Sequence, residues 1–312
     1  MKHAALLFAA VLAGFGSLLL FAGAERGPSA REAAFPGGDA GRGNLAVPQR
    51  VRPPRLKEAY SLAGEPIPVD DIDVRDRLDR ELLTNTFYHS STQHILKRKS
   101  RYFPVIEQIL REEGVPEDLK YVAVAESAFR DFRSPAGAAG VWHFMKGTAR
   151  QYGLEVNSEV DERYHLEKST RAAAKFLKDL RGELGSWTLA VAAYNRGAGG
   201  IRERLREQRG ESFYDLNLNP ETARYVFRIV ALKDILEDPE YYGFFLDDAD
   251  TYPPLTPDDY RVVEVTANVP NWGDFAREHG TSYRKIKVLN PWLRETDLTV
   301  SAGNSYEIRV PR

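Results

Sequence analysis

The sequence contains no cysteine. Disulfides and thiolate metal sites are therefore excluded, and so is a membrane anchor on an acylated N-terminal cysteine. Excess basic charge is missing as well: 43 Lys and Arg stand against 45 Asp and Glu, a formal net charge of -2. No broad positive field is available to hold nucleic acid, and no nucleic-acid partner is expected. Long apolar runs are absent with one exception, Ala4 to Ala24, an uncharged stretch behind Met1-Lys2-His3. It ends in Ala22-Gly23-Ala24, which fits a small-x-small cleavage site, so a secretory signal peptide is one reading. About 20 apolar residues suffice to span a bilayer, so an uncleaved signal anchor in the inner membrane is the other. Either way the chain is exported.

What is present is an ordinary globular balance over 312 residues, 43% hydrophobic and 28% charged, enough for about two domains. From Glu25 the composition shifts to Gly, Pro, Ala and Arg, and a flexible tether is expected over 25–68. Helical periodicity then predicts a helical extension over 69–112, with helices at Asp73–Phe87 and Tyr102–Glu113. In the segment 113–240, Pro116 with Glu117 and Asp118 opens a helix on which Leu119, Val122, Ala123 and Glu126 share one face. A loop of small residues, Ser134 to Gly140, follows, then a helix that includes Thr148–Tyr152. Further helices are expected at Leu166–Leu184, Ser186–Asn195, Ile201–Gln208 and Glu221–Leu236. No strand alternation appears between Val69 and Asp238. After an acidic, aromatic linker over 241–259, the segment 260–312 reads as strand, two short helices and strand. The expected fold is mainly α, with a small β-α-α-β domain at the end.

A Glu at the end of an apolar helix is most simply a solvated or capping carboxylate. Three companions of Glu126 argue for chemistry. The small-residue loop lets a bulky substrate approach. A second helix end delivers Tyr194 and Asn195 to a Gly-rich turn. Aromatics able to stack on sugars, Trp142, Tyr152, Tyr164 and Tyr225, lie nearby in sequence.

On five ordered motifs, Glu113 to Leu236 resembles the lysozyme-like domain of the soluble lytic transglycosylase family, most closely its membrane-bound lytic murein transglycosylase D group. The motifs are Glu126-Ser127-Ala128-Phe129, Ser134-Pro-Ala-Gly-Ala-Ala-Gly-Val-Trp142, Thr148-Ala149-x-x-Tyr152-Gly153, Ala192-Ala193-Tyr194-Asn195-x-Gly197 and Glu221-Thr222-x-x-Tyr225-Val226. The resemblance implies an enzyme that breaks the β-1,4 bond between N-acetylmuramic acid and N-acetylglucosamine in peptidoglycan strands without water. Glu126 would be its single acid/base, and 1,6-anhydromuramoyl ends its product. Such a carboxyl has to be protonated near neutral pH, which apolar surroundings favour. Ser134 and Tyr194 would contact sugar or orient the acid, unless they cap the loop and pack the core. Asn195 is open between a substrate contact and helix-end chemistry, and Glu221 and Tyr225 would line or brace the cleft. Ordinary glycosidases use two carboxylates; Asp131, Asp161 and Glu167 are the available second ones, and each sits in a polar stretch that reads as structural. No cofactor is implied, and a monomer in the periplasm is expected.

The chain departs from the family pattern in three places. Arg130-Asp131 stands for Asn-Pro with the loop one residue short, His143 replaces a substrate-binding Gln, and Lys146-Gly147 replaces a Pro. No second ligand stands at metal spacing from His143, which can still donate to a sugar carbonyl. The tail resembles a LysM module through Tyr260-Arg-Val, Trp272-x-x-Phe275-Ala276-x-x-His279-Gly280 and Leu289-Asn290-Pro291. Ala267-Asn268-Val269-Pro270 stands where a Gly-Asp-Thr-Leu stretch is usual. A goose-type lysozyme-like hydrolase and an inactive wall-binding scaffold are the alternative readings.

Overall fold

The computed structural model describes residues 52–312, so the export segment 1–24 and most of the 25–68 tether lie outside the described residues. The tether reading is corrected at its end. Tyr60–Leu62 (β1) and Glu65–Ile67 (β2) pair antiparallel, and Tyr60, Leu62 and Ile67 are buried in the main core. Ala63 and Gly64 form the two-residue connection with φ of +54° and +80°, the left-handed pair that strand twist favours.

Eight helices follow. Ile72–Phe87 (α1) is capped by Asp71, whose carboxylate accepts from the amides of Asp73 and Val74 at 2.8 and 3.2 Å. His89–Glu112 (α2) begins thirteen residues earlier than the periodicity indicates and carries Pro104 inside it. A 3₁₀ turn at Glu117–Leu119 runs into Lys120–Ser127 (α3), and Lys146–Gln151 (α4) is short. Leu166–Leu184 (α5) and Trp187–Arg196 (α6) fall where expected. Only Gly197, at φ +87°, breaks the chain before Ala198–Gln208 (α7), so Gly199 and Gly200 are helical rather than loop. Pro220–Glu237 (α8) starts with Pro at its first position and Asn219 as cap.

Helix α8 is buried on nearly all sides: Val226, Phe227, Ile229 and Ile235 have no exposure. A helix buried over most of its surface belongs in the middle of a core, and α1, α3 and α6 pack on it. One buried cluster joins Val74, Leu78 and Leu82 of α1 to Val122 of α3 and Val226 of α8. The helical extension 69–112 and the segment 113–240 therefore share a single core. The 241–259 stretch runs along α2, where the Tyr252 amide donates to the Lys97 carbonyl at 2.8 Å and Ser100 Oγ donates to the Tyr252 carbonyl at 2.9 Å.

The C-terminal segment has the expected order: Tyr260–Val265 (β3), Trp272–Glu278 (α9), Tyr283–Leu289 (α10) and Tyr306–Pro311 (β4). The strands pair antiparallel from Tyr260 opposite Pro311 to Val265 opposite Tyr306. Asn290 has no exposure, and its amide is fully used. It donates to the carbonyls of Ile286 (2.9 Å) and Arg309 (2.7 Å) and accepts from the Arg309 amide at 2.9 Å. A buried amide needs such partners, and here they lock α10 to β4. Among the described residues no helix is long and apolar enough to cross a membrane.

The β1–β2 hairpin also caps a helix. Glu65 accepts from the amides of Trp187 and Thr188 at 2.6 and 2.9 Å and from Thr188 Oγ1 at 3.0 Å. These amides sit at the N-terminus of α6, where anions are stabilising. Glu65→Ala is expected to lower stability by about 1–2 kcal/mol, read as a shift in the urea midpoint at constant slope.

Candidate active site

Helix α3 places Glu126 as foreseen. Leu119, Val122 and Ala123 on its face have no exposure, and the Glu126 side chain retains 16%. The helix stops because Ala128 and Phe129 both take left-handed conformations, φ +49° and +57°. Two such non-glycine residues cost roughly 1–3 kcal/mol each. Burial of the Phe129 ring, stacked on Tyr102 at 4.6 Å, offsets this, as do the two hydrogen bonds of Ser127 Oγ, to the Ala123 carbonyl and from the Phe129 amide. The reversal leaves the Glu126 carboxyl at a helix end, facing the loop that follows.

Both carboxyl oxygens have neighbours. Tyr225 of α8 donates its hydroxyl to Oε1, and His143 Nδ1 lies 3.4 Å from Oε2, a close contact rather than a formed hydrogen bond. Burial and, after it, the charge of Glu126 push the Tyr225 hydroxyl well above its ordinary value, and the same two causes act on Tyr194. Both tyrosines therefore stay protonated and serve as donors. The Tyr194 hydroxyl does not reach Glu126. It donates to the Trp142 carbonyl at 2.7 Å and so pins the backbone next to His143. His143 itself sits at φ +52°, with Phe132 edge-on to its ring at 4.7 Å. Its Nε2 is buried and has no protein partner.

Other expected residues take quieter places. Ser134 Oγ accepts from the Ala138 amide at 3.0 Å, closing its own loop. Asn195 Oδ1 accepts from Thr222 Oγ1 at 2.9 Å, which ties α6 to the first turn of α8. Glu221 is exposed and turns to Arg228 at 3.3 Å. The sugar-stacking expectation is corrected for three aromatics: Trp142, Tyr164 and Tyr225 are buried. Trp142 donates through Nε1 to Thr170 Oγ1 at 2.9 Å, as a satisfied core indole does. Phe132, 43% exposed beside His143, is the solvent-facing ring at the site. Its polar neighbours Arg130, Asp131, Arg133 and Ser134 are the sequence signal of that exposure.

Of the three further acids, two are engaged elsewhere. Asp161 is clasped by Arg163. Glu167 faces burial that would raise its pKa, but His165 and Arg309 outweigh it and hold the carboxyl at about 2. Asp131 is exposed and lines a separate cleft of about 360 Å³ with Arg98, Arg101, Tyr102, Phe129 and Tyr252. No group of three His, Asp or Glu able to hold a metal occurs among the described residues.

The comparisons define the class. Residues 103–217 match the Transglycosylase SLT domain family, and residues 261–312 match the Soluble lytic transglycosylase C-terminal LysM-like domain family. The chain thus carries an SLT transglycosylase domain and, at its C-terminal end, a LysM-like domain. More particularly, it is similar to Membrane-bound lytic murein transglycosylase D of Escherichia coli strain K12, with 30% identity over 253 residues, 79% of this chain and 53% of that protein. The same protein of a second Escherichia coli strain matches equally. The chain spans about half the length of these relatives. Among solved structures, the lytic transglycosylase Slt of Pseudomonas aeruginosa, as an inactive mutant, shares 23% identity at a TM-score of 0.38 and covers 49% of this chain and 26% of its own. The 70 kDa soluble lytic transglycosylase of Escherichia coli shares 22% at the same TM-score, over 50% and 26%.

The low pKa of Glu167 has a consequence for stability. Because the folded value lies below the ordinary 4.5, its contribution is complete above about pH 4.5 and is lost as pH falls toward about 2. Urea midpoints measured from pH 6 to pH 2.5 are expected to fall more steeply for wild type than for Glu167→Gln.

Proposed function

We propose that the chain is a lytic transglycosylase of the bacterial cell envelope, acting on the glycan strands of peptidoglycan, with Glu126 as its single acid/base. The observation that carries this is the setting of Glu126. One carboxyl at the end of an apolar helix is held by a protonated tyrosine, within a segment that matches the SLT domain. Protonated Glu126 gives its proton to the glycosidic oxygen as the C1–O bond breaks. The resulting carboxylate then takes the proton of the muramoyl C6 hydroxyl while O6 bonds to C1. No water is consumed, the proton inventory of Glu126 is restored, and the product ends in a 1,6-anhydro ring. An internal nucleophile removes the need for the second carboxylate of ordinary glycosidases. The engagement of Asp161 and Glu167 in ion pairs supports the same reading.

Tyr225 fixes one oxygen of the acid, and His143 stands at the other. Phe132 offers a ring face to the sugar. Within this proposal, residues 1–24 direct export to the periplasm and either are cleaved or anchor the chain in the inner membrane. Residues 113–240 form the catalytic domain and 260–312 a peptidoglycan-binding module, and the protein works as a monomer without cofactor.

Glu126→Gln is expected to lower strand cleavage by about 10²–10⁴-fold, the usual weight of a general acid. Mass spectrometry of wild-type digests should show anhydromuramoyl ends. Reducing ends alone would instead assign a hydrolase, and an inert wild type that still pellets with cell walls would assign a scaffold. Tyr225→Phe, which removes the hydrogen bond that fixes one oxygen of the Glu126 carboxyl, is expected to reduce kcat by about 10–100-fold, the weight of a misplaced catalytic group.

A further inference from the structure

The C-terminal module is built into the catalytic domain rather than hung from it. Its core of Trp272, Ile286, Trp292, Leu293 and Ile308 is continuous with Val160, Tyr164 and Ala139 of the preceding domain. Ala139 belongs to the very loop that carries His143, and it has no exposure. Backbone hydrogen bonds cross the junction as in a sheet. The Asp161 amide donates to the Trp292 carbonyl at 2.8 Å, and the Arg294 amide donates to the Glu159 carbonyl at 2.7 Å. Side chains add to this: Glu159 accepts from the amide and Oγ1 of Thr299 at 2.5 and 3.1 Å, and Arg309 pairs with Glu167.

From that junction one side chain reaches back to the site. Arg163 is 3% exposed, and four of its five guanidinium N–H groups have partners. Two of them grip Asp161, from Nε at 2.8 Å and from the second terminal nitrogen at 2.7 Å. The other terminal nitrogen donates to the carbonyls of Gly137 and Phe144, at 2.8 and 3.0 Å. These two carbonyls bracket the loop segment that contains His143. The segment also lies hard against the Arg163 backbone: a Cβ at Gly140 would meet the Arg163 carbonyl oxygen at 1.8 Å. The contacts thus run from Trp292 through Asp161 and Arg163 to both ends of the loop, and from the loop to Glu126 at 3.4 Å.

We propose that the C-terminal module buttresses the loop that carries His143, and that Arg163 is the positioning residue through which it sets that loop against Glu126. The role assigned to Arg163 rests on the reading of Glu126 as the reacting carboxyl. The geometry asks for arginine at this place. A single ammonium cannot fork onto a carboxylate and also hold two carbonyls, because only the planar guanidinium has donors on both edges. Misplacement of a catalytic neighbour by about 1 Å can cost on the order of 10²-fold in rate.

The test uses the full chain with Arg163→Lys. The expected result is a kcat on peptidoglycan lowered by about 10–100-fold, KM within about twofold, and a shifted ring resonance of His143 in histidine-labelled protein. A surface control, Arg202→Lys, should move none of these. If Arg163→Lys does not fold, Glu159→Ala, on the junction side of the same segment, should shift the His143 resonance and lower kcat by a smaller factor. A folded Arg163→Lys with unchanged kcat and unchanged His143 resonance overturns the proposal, as does a silent Glu159→Ala where Arg163→Lys is unusable. The resonance reads the clamp without reference to lysis. Failure of the transglycosylase reading, seen in wild-type products, is thereby distinguished from failure of this one.

Discussion

The hydrogen bond from Tyr225 to Glu126 joins the long, largely buried helix α8 to the carboxyl at the end of α3. Helix α8 is fixed by apolar contacts along most of its length and by ion pairs from Arg224, Arg228 and Lys233, so the Tyr225 hydroxyl has little freedom to move. The carboxyl inherits that rigidity from the core rather than from its own short helix, which ends one residue later in a left-handed turn. The fold therefore holds the acid by two independent routes, the apolar face of α3 below it and the phenol of α8 beside it. The loop with His143 is the third side, and it is the side built from polar contacts.

Those polar contacts are of an expensive kind. A buried ion pair contributes net stability only when the remaining donors and acceptors are satisfied. Asp161 and Arg163 come close to that condition, since the guanidinium fills two backbone carbonyls as well as the carboxylate. Glu81 in α1, almost fully buried and facing Arg224 and Arg228 of α8, is a second example. Such pairs specify geometry more than they stabilise it, and both stand where separate parts of the chain must keep a fixed relation.

Much of this was legible in the sequence, for identifiable reasons. Helix α5 has a full apolar stripe bounded by Gly185, and α8 opens with Pro220, so their limits could be read from local chemistry. Glu126 stood out through ordered motifs around it. The β1–β2 hairpin did not, because its turn is Ala63-Gly64 rather than Asn-Gly and Pro66 sits in a strand. The first half of α2 was hidden by the charged run from Lys97 to Arg101 and by Pro104. Trp142 and Tyr225 looked like sugar platforms because a motif shows which residue recurs but not which way it faces. Arg163 gave no signal at all: its partners are carbonyls and a carboxylate whose meeting is purely tertiary.

The docked C-terminal module changes what wall binding by this chain would mean. A module on a flexible linker raises local substrate concentration and leaves the cutting position to chance. Here the shared core around Ala139, Val160 and Trp292 fixes the module relative to Glu126. A strand gripped on the module's free face would meet the acid at a constant offset, counted in sugars. Module and carboxyl then move as one body.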